Sequence, residues 1–498
     1  MTSSSSLLIV GASARAAAGS ARRAGFQVSA ADLFGDWDLQ ACQRTWLVTD
    51  YPAGFATAIA EFGGPWMYTG GLENHPAWVD RFAQLAPLWG NPAERLRAVR
   101  DPLRLAQVLR DAGFRFPETY VAPVSDLPGF EELRPQANPP ALNATHVAPA
   151  LTPSMANPSV SDDPNSNLAP VSHQLGSNHA LGRDESAGHR LASPTDSVAT
   201  VSLGSFVTRP LSSTRVGPER WLRKPLASAG GQGIQSLWVM PSTVASWRAA
   251  AAIQPVVSAE ESLGGRLESG SRTHVVQKFV SGSSRTACFI ASGAQTRCLG
   301  VTRQLVGCPW AGAHGFQYVG SIGPLPLRTV ARKSWERLGQ VVAEAFGLRG
   351  LFGIDAIVDR EGILLIEVNP RYPASLEVLE QGLGSRALRW HVAACSGDEL
   401  IVDRESIGRG PSLCVGKAIL YAKHDFRMPT ALVDAVWRAA QQERWPTLAD
   451  IPRPGTVVSK GQPIWTLFAS GSDLPTVARK LRAAASEWYA VFKAIPGD

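Results

Sequence analysis

The chain has 498 residues, a formal net charge of +6 and a sequence pI near 9.1. This length is enough for about three domains. No apolar run reaches the roughly 18 to 20 residues of a membrane span, and no lysine or arginine run marks a nucleic-acid-binding tail. The six cysteines form no C-x-x-C pair, which argues against a zinc site. The start lacks the features of a signal peptide, so we expect a cytoplasmic protein that binds neither nucleic acid nor membrane.

Strand-like and helix-like segments alternate through residues 1–90. A short apolar run that ends at Gly11 predicts the first strand, and Gly25 closes the helix that follows. Such βαβαβ order predicts a small parallel sheet. The strands are predicted at 7–10, 26–31, 45–48 and 66–68, and the helices at 14–24 and 53–62.

The loop after the first strand, Gly11 to Arg15, has one of the three glycines of the dinucleotide fingerprint, with Asp32 about twenty residues on. A nicotinamide-dependent oxidoreductase is therefore a weakly supported alternative. The helix N-terminus at this loop could instead hold an anionic group such as a substrate carboxylate.

The composition changes sharply in the middle of the chain. After a predicted helix at 101–112, residues 124–214 are rich in Ser, Pro, Asn and Ala, with no aromatic residue between Phe130 and Phe206. Such a segment cannot bury enough apolar surface to offset its ordering entropy. We predict a disordered insertion there.

The sharpest chemical signal is a β-hairpin between Phe352 and Arg371. A three-residue loop, Arg360 to Gly362, would pair Asp359 with Ile363. The same register puts Asp355 opposite Glu367. Asn369 and Arg371 then share their face, while the other face is apolar and predicts a core: Ile354, Ala356, Val358, Leu364, Ile366 and Val368.

Two facing carboxylates repel each other unless a cation lies between them. Oxygen ligands from Asp355, Glu367 and Asn369, without sulfur, suit Mg²⁺, which also takes phosphate oxygens. Mn²⁺ is a second candidate. The hairpin therefore predicts a metal site.

Two further segments suit a nucleotide. A strand that carries Lys224 leads into a turn with Ser228, Gly230, Gly231 and Gly233, where backbone N–H groups could approach phosphate oxygens. Farther on, the apolar strand that begins at His274 ends in Gln277, Lys278, Phe279 and Val280. Such an edge could offer main-chain groups to a purine.

Together, in this order, the three segments resemble the ATP-grasp superfamily, over roughly residues 91–120 and 221–395. The segments 68–74 and 449–464 are similar to predicted ATP-dependent carboligases related to biotin carboxylase. The resemblance implies an α/β and α+β chain. Its parts would be a Rossmann-like N-terminal (pre-ATP-grasp) domain at 1–90, the start of the ATP-grasp region at 91–123, the insertion at 124–214, an ATP-grasp domain of two α+β subdomains at 215–395, and a small C-terminal α+β unit at 396–498.

The resemblance also implies roles for individual residues. Lys224 would contact the ATP phosphates under a lid loop that spans residues 228–233. Residues 277–280 would form the adenine hinge, with Val280 giving a backbone contact. Asp355, Glu367 and Asn369 would hold one or two Mg²⁺, and Arg371 would stabilise an acyl phosphate.

The chain departs from the family pattern at one position. The second ATP-contacting lysine is missing from the stretch before the helix at 101–112, where Arg100 or Arg104 could replace it. Arg285, Arg303 and Gln304 are candidates to hold a carboxylate substrate.

The implied activity is Mg-ATP-dependent activation of a carboxylate as an acyl phosphate, followed by attack of an amine. A carboxylase, a thioester-forming ligase and a non-catalytic ATP-binding protein are the alternatives. Similar proteins are commonly dimers, and neither substrate is identified by the sequence.

Overall fold

The computed structural model describes residues 6–123, 218–253 and 273–496, with gaps at 226–229, 232, 294, 398–401, 403–412 and 441–444. The predicted insertion at 124–214 lies outside the described residues. Among the helices that are described, none is both long and apolar enough to span a membrane.

The N-terminal segment forms the predicted parallel sheet. Its strand order is β3-β2-β1-β4, and all three pairings are parallel. Helix α1 packs with β1 and β2 over an alanine-rich core, and α2 and α3 pack against the other face. The bounds are β1 Ser6–Val10, α1 Arg15–Arg23, β2 Gln27–Asp32, β3 Thr45–Leu47, α2 Phe55–Phe62, β4 Trp66–Tyr68 and α3 Pro76–Ala83, with 3₁₀ turns at Trp37–Ala41 and Leu72–Asn74.

A second, antiparallel sheet carries the predicted phosphate and purine segments. Its strand order is β5-β8-β6-β7, and helix α6 covers it over a core that contains Trp221 and Trp247. Asp101 caps α5 by accepting the backbone N–H groups of Leu103 and Arg104. The bounds are α4 Ala93–Arg100, α5 Pro102–Asp111, β5 Thr119–Pro123, β6 Glu219–Pro225, β7 Gln235–Val239, α6 Pro241–Ile253 and β8 Thr273–Lys278.

The central sheet has eight described strands in the order β13-β12-β9-β10-β11-β14-β18-β16. Helices α5 and α7 cover one face of β9 and β12, and α1, α8 and α9 cover the other. The bounds are β9 Ser283–Ser292, β10 Thr296–Val306, β11 Tyr318–Gly323, α7 Thr329–Phe346, β12 Arg349–Asp359, β13 Gly362–Asn369, α8 Leu376–Leu383 and α9 Ala387–Ser396, with a 3₁₀ turn at Pro309–Ala311.

The C-terminal strands belong to this same sheet. Strand β14 pairs with β11 on one side and with β18 on the other. In the described residues of the segment predicted as a C-terminal unit at 396–498, three strands therefore extend the central sheet, and β15 and β17 pair apart from it. The bounds are β14 Cys414–Tyr421, β15 Phe426–Arg427, α10 Thr430–Ala440, β16 Leu448–Ala449, β17 Val457–Val458, β18 Pro463–Gly471 and α11 Leu474–Lys493.

The hairpin of β12 and β13 corrects the predicted loop. Asp359 pairs with Gly362 across a two-residue turn, and the predicted pairing with Ile363 is wrong. The carboxylate of Asp359 tightens this turn by accepting the backbone N–H groups of Glu361 (2.8 Å) and Gly362 (3.1 Å). A one-residue shift of register would move every side chain of β13 to the opposite face.

A β-bulge between the turn and the predicted metal site compensates for the one-residue shift of register. Ala356 pairs with Leu365, but the next pair is Asp355 with Glu367, so Ile366 is the extra residue. Leu365 joins the core, and Ile366 lines a cleft instead of the apolar face predicted for it. The predicted pairing of Asp355 with Glu367 is confirmed.

Candidate active site

A cavity of about 360 Å³ opens between the antiparallel sheet and the edge of the central sheet. Strands β6 and β8 supply one wall, and the hairpin of β12 and β13 supplies the opposite one. The residues predicted to bind nucleotide, metal or acyl phosphate all line this cavity where the structure describes them, except Gly233; the further candidates Arg104, Arg285 and Arg303 do not line it. Ser228 lies outside the described residues. The three separate sequence signals therefore meet in one cleft.

Asp355 is the most constrained carboxylate in the cleft. Its Oδ1 accepts hydrogen bonds from Thr286 Oγ1 at 2.6 Å and Gln304 Nε2 at 2.9 Å, and its Oδ2 accepts one from Asn369 Nδ2 at 3.0 Å. Burial, followed by the negative charge of Glu367, raises its pKa to about 6. The protein thus orients this carboxylate while leaving it short of positive charge.

Two arginines hold the rest of the hairpin face. Arg100 forms an ion pair with Glu367, and its Nη2 donates to Asn74 Oδ1 at 2.7 Å. Arg371 donates from Nη2 to Asn369 Oδ1 at 3.1 Å and from Nε to Glu73 Oε1 at 3.0 Å. The polar face therefore continues from the hairpin to Glu73 and Asn74 in the N-terminal segment.

The donor set fits a magnesium ion that is completed by a ligand. Among the described residues, no group of three His, Cys, Asp or Glu side chains is arranged to hold a metal. The set consists of the carboxylates of Asp355 and Glu367 and the amide of Asn369. Mg²⁺ is commonly bound by one or two carboxylates together with substrate phosphates and water, so these residues suit that ion.

Lys224 lies on the opposite wall of the cleft. Its ammonium group hydrogen-bonds Gln277 Oε1, while Gln277 Nε2 donates to Thr119 Oγ1 at 3.0 Å. Burial lowers the pKa of Lys224, and the charge of Glu367 partly opposes that shift. A desolvated cation that no described carboxylate pairs directly is suited to an anionic ligand.

The glycine-rich turn lies over the cleft. The backbone N–H of Tyr318 donates to Gly230 O at 3.0 Å, which fixes the turn against the strand that begins there. Gly231 has a φ of +76°, and a Cβ at this position would lie 2.0 Å from Phe316 O. The close approach therefore requires glycine.

A matched pair of variants tests this turn. Gly230 also has a positive φ, but a Cβ there would meet nothing within 4 Å. Both alanine variants should share the backbone strain, and only Gly231→Ala should also push the turn off Phe316. We expect Gly231→Ala to weaken binding of a nucleotide analogue about tenfold more than Gly230→Ala, as measured by calorimetry. Equal affinities would show that the contact with Phe316 is irrelevant to binding.

The predicted hinge lies where β8 ends. Lys278 forms an ion pair with Glu219 at 2.9 Å. The guanidinium carbon of Arg220 lies 4.0 Å from the centre of the Phe279 ring. The rings of Phe279 and Phe316 meet edge on, with their centres 6.4 Å apart. These contacts orient the two side chains, and both residues line the cleft beside Val280.

Several cleft residues were not among the predicted site residues. Glu73 lines the cleft, and Asn74 accepts the hydrogen bond from Arg100. Both belong to the segment at 68–74 that is similar to the carboligases, and that similarity was the one signal for them. Thr286 faces the cleft with Gln304. Arg285 and Arg303 lie opposite each other in the pairing of β9 with β10. Because side chains alternate along a strand, both lie on the face of the sheet opposite to that of Gln304. They are therefore not placed to hold a substrate in this cleft, while Gln304 is.

The structure distinguishes Arg100 from Arg104 as the replacement for the missing ATP-contacting lysine. Arg100 lines the cleft, whereas Arg104 has its guanidinium 5.6 Å from the ring centre of Phe346. Of the two candidates to replace the missing lysine, only Arg100 is in position.

The predicted anion site at the start of α1 is taken by the protein's own carboxylate. Asp32 accepts the backbone N–H of Ala14 at 3.2 Å and of Gly35 at 2.6 Å, and it is fully buried. A Cβ on Gly11 would lie 2.0 Å from Thr69 Oγ1. This loop is closed by its own groups, which removes support from both a substrate carboxylate and a nicotinamide cofactor there.

Comparison with known proteins bears on the fold of the chain. Residues 205–375 match the family model of the ATP-grasp domain. A curated relative is an uncharacterized protein of Methanocaldococcus jannaschii, which is 24% identical over 195 residues; the match covers 39% of this chain and 42% of that protein.

Solved structures share the fold across almost the whole chain. An L-amino acid ligase from Bacillus licheniformis has a TM-score of 0.56, with 13% identity and 97% of each chain covered. The N5-carboxyaminoimidazole synthetase of Staphylococcus aureus complexed with ADP has a TM-score of 0.54 and 10% identity, over 97% of this chain and 98% of that one.

The biotin carboxylase domain dimer of the Hydrogenobacter thermophilus 2-oxoglutarate carboxylase, which was solved with MgADP, gives a TM-score of 0.54 with 13% identity over 96% of this chain and 89% of that one. Likeness at this level of identity establishes the fold, and the family model identifies the domain. The protein therefore contains an ATP-grasp domain and has the ATP-grasp fold.

Proposed function

We propose that the protein is a Mg-ATP-dependent ligase that activates a carboxylate as an acyl phosphate and joins it to an amine. The observation that carries this proposal is the facing pair of Asp355 and Glu367, with Arg371 beside it and Lys224 across the same cleft. That arrangement combines a hard-cation site with cations for phosphate and carboxylate groups.

The side chains of the cleft have distinct roles in this reaction. Lys224 and Arg100 bind phosphate oxygens, and the turn at Gly230 and Gly231 covers them. Arg371 stabilises the negative charge that develops as the γ-phosphoryl group is transferred to the substrate carboxylate. Closure of the turn keeps water from the acyl phosphate.

Asp355, Glu367 and Asn369 would hold Mg²⁺, which when bound neutralises phosphate charge. The protein's own task is to orient these ligands, and the hydrogen bonds of Thr286 and Gln304 to Asp355 do so. Mn²⁺ satisfies the same oxygen donors.

The amine as acceptor is supported by the fold relatives. Their names describe an L-amino acid ligase and an N5-carboxyaminoimidazole synthetase, both of which form bonds to nitrogen. Biotin carboxylase relatives make carboxylation the competing outcome.

A screen separates these outcomes. Purified protein is incubated with Mg-ATP, hydroxylamine and a panel of carboxylic acids that includes amino acids and bicarbonate. The proposal predicts that a carboxylate stimulates both ADP release and hydroxamate formation, because hydroxylamine traps an acyl phosphate. ADP release with bicarbonate alone would indicate a carboxylase, and absence of ADP release with every acid would contradict the proposal.

Arg100 and Arg104 form a matched pair for the nucleotide site. Arg100→Met removes a cation that faces the cleft, whereas Arg104→Met removes one that lies on Phe346. We expect the first change to weaken Mg-nucleotide binding about 10- to 100-fold, since a hydrogen bond to a charged group contributes about 1.5 to 3 kcal/mol. Arg100→Lys should restore much of the affinity. Equal effects of the two methionine variants in calorimetry would exclude Arg100 from phosphate binding.

A further inference from the structure

Glu73 is a buried carboxylate beside Arg371, and the described part of the chain uses only one of its two oxygens. Its side chain is 2% exposed, and Oε1 lies 3.0 Å from both Nε and Nη2 of Arg371. The other oxygen, Oε2, is buried and has no hydrogen-bond partner within the described part of the chain. Glu73 lines the same cleft as the hairpin.

The carboxylate of Glu73 is ionised at neutral pH. Burial alone would raise its pKa, but the charges of Arg371 and Arg100 outweigh burial and lower it. A buried anionic oxygen that lacks a donor is costly. At the wall of a ligand cleft, such an oxygen is free to accept a hydrogen bond from a bound ligand.

The other charged groups of the cleft indicate which chemical group of a ligand would bind Oε2 of Glu73. Lys224, Arg100 and Arg371 are suited to phosphate and carboxylate oxygens. Asp355 and Glu367 face each other at the metal site. Glu73 remains as the acid that is suited to a cationic group of a substrate.

We propose that Oε2 of Glu73 binds the ammonium group of the amine substrate and so positions its nitrogen beside Arg371. This inference rests on the proposed ligase function and names its second substrate class as an amine that is cationic in solution. It concerns binding and orientation, and it assigns no proton transfer to Glu73.

Two glycines, Gly70 and Gly71, precede Glu73 in the chain. A Cβ on Gly70 would lie 3.5 Å from Arg371 Nη2, and one on Gly71 would lie 2.7 Å from the Tyr51 hydroxyl. A side chain at Gly71 would therefore clash with Tyr51.

Calorimetry on the full chain tests the proposal. The protein is saturated with Mg²⁺ and a non-hydrolysable ATP analogue, then titrated with a panel of amino acid amides, which carry an ammonium group and no carboxylate. We expect at least one amide to bind wild-type protein and Glu61→Gln, an exposed control. With the analogue at saturation, the same amide should bind Glu73→Gln at least tenfold more weakly. Glu73→Asp, which keeps the charge, should recover part of the loss.

Wild-type protein alone provides a second test, which does not depend on the folding of a variant. The N-acetyl derivative of the amide that binds best has no ammonium group, so it should not bind. The proposal is overturned if no amide binds wild-type protein, if Glu73→Gln binds the amide equally well, or if the N-acetyl derivative binds as tightly. Failure of the nucleotide analogue itself to bind would instead contradict the proposed function.

Discussion

Arg371→Lys is expected to lower kcat by a factor on the order of 10² to 10³, a loss typical of removing one donor to a developing oxyanion. Arg371 uses its planar guanidinium to contact Glu73, Asn369 and the carbonyl of Tyr372 at once. Lysine keeps the positive charge next to the buried Glu73, so the fold should be preserved. It cannot reproduce the forked geometry.

The measurements that check this are steady-state kinetics with the carboxylate found in the screen and calorimetry with a nucleotide analogue. The Kd of the analogue should change by less than about threefold, because the contact is required mainly in the transition state. Arg360→Lys, at the exposed turn between β12 and β13, is the matched control. A kcat within about threefold of wild type would remove Arg371 from the mechanism.

Glu377→Gln should lower the free energy of unfolding at neutral pH by about 3 kcal/mol, the lower end of the cost of breaking a buried ion pair. Glu377 lies on α8 and is 1% exposed. It binds Arg15 of α1 bidentately and receives Lys417 Nζ at 3.2 Å from β14. The variant would leave two cations buried without this anion, at the junction of three parts of the chain.

The same carboxylate gives a pH signature. Burial opposes its ionisation, but Arg15 and Lys417 outweigh burial and lower its pKa from 4.5 to about 2. Since the folded-state pKa is depressed, the stabilisation is complete above pH 4.5 and is lost as the pH falls toward 2. The stability difference between wild type and variant, from urea titrations, should therefore shrink over that range. Glu344→Gln, on the exposed face of α7, is the control and should have the same stability as wild type across this pH range. A stability difference for Glu377→Gln that is independent of pH would contradict the lowered pKa of Glu377.

The parts of the site that were predictable are those that lie close together in sequence. Asp355, Glu367, Asn369 and Arg371 lie within about 17 positions of one another, and alternation along β13 puts Glu367 and Asn369 on one face. The predicted turn was wrong by one residue, and the pairing of Asp355 with Glu367 survived because the bulge at Ile366 restored the register. A bulge has no side-chain signature in β13, which explains why Ile366 was placed on the apolar face.

The parts that were not predictable depend on tertiary packing between distant segments. Arg100 and Glu367 are separated by 267 positions, and Glu73 and Arg371 by 298. No local pattern encodes such pairs. The C-terminal strands were predicted as strands, but nothing in their sequence shows that β14 would pair with β11 and continue the central sheet.

The measurement that tests the central claim most directly is the calorimetric titration of a non-hydrolysable ATP analogue with and without Mg²⁺, into wild-type protein, Glu367→Gln and the exposed control Glu361→Gln. We predict binding by wild-type protein that depends on Mg²⁺, unchanged binding by Glu361→Gln, and binding by Glu367→Gln that is weaker by about tenfold or more. Binding that is equally tight with a chelator present, or equally tight in Glu367→Gln, would contradict the hairpin as the metal site. Absence of binding by folded wild-type protein would contradict the nucleotide site altogether.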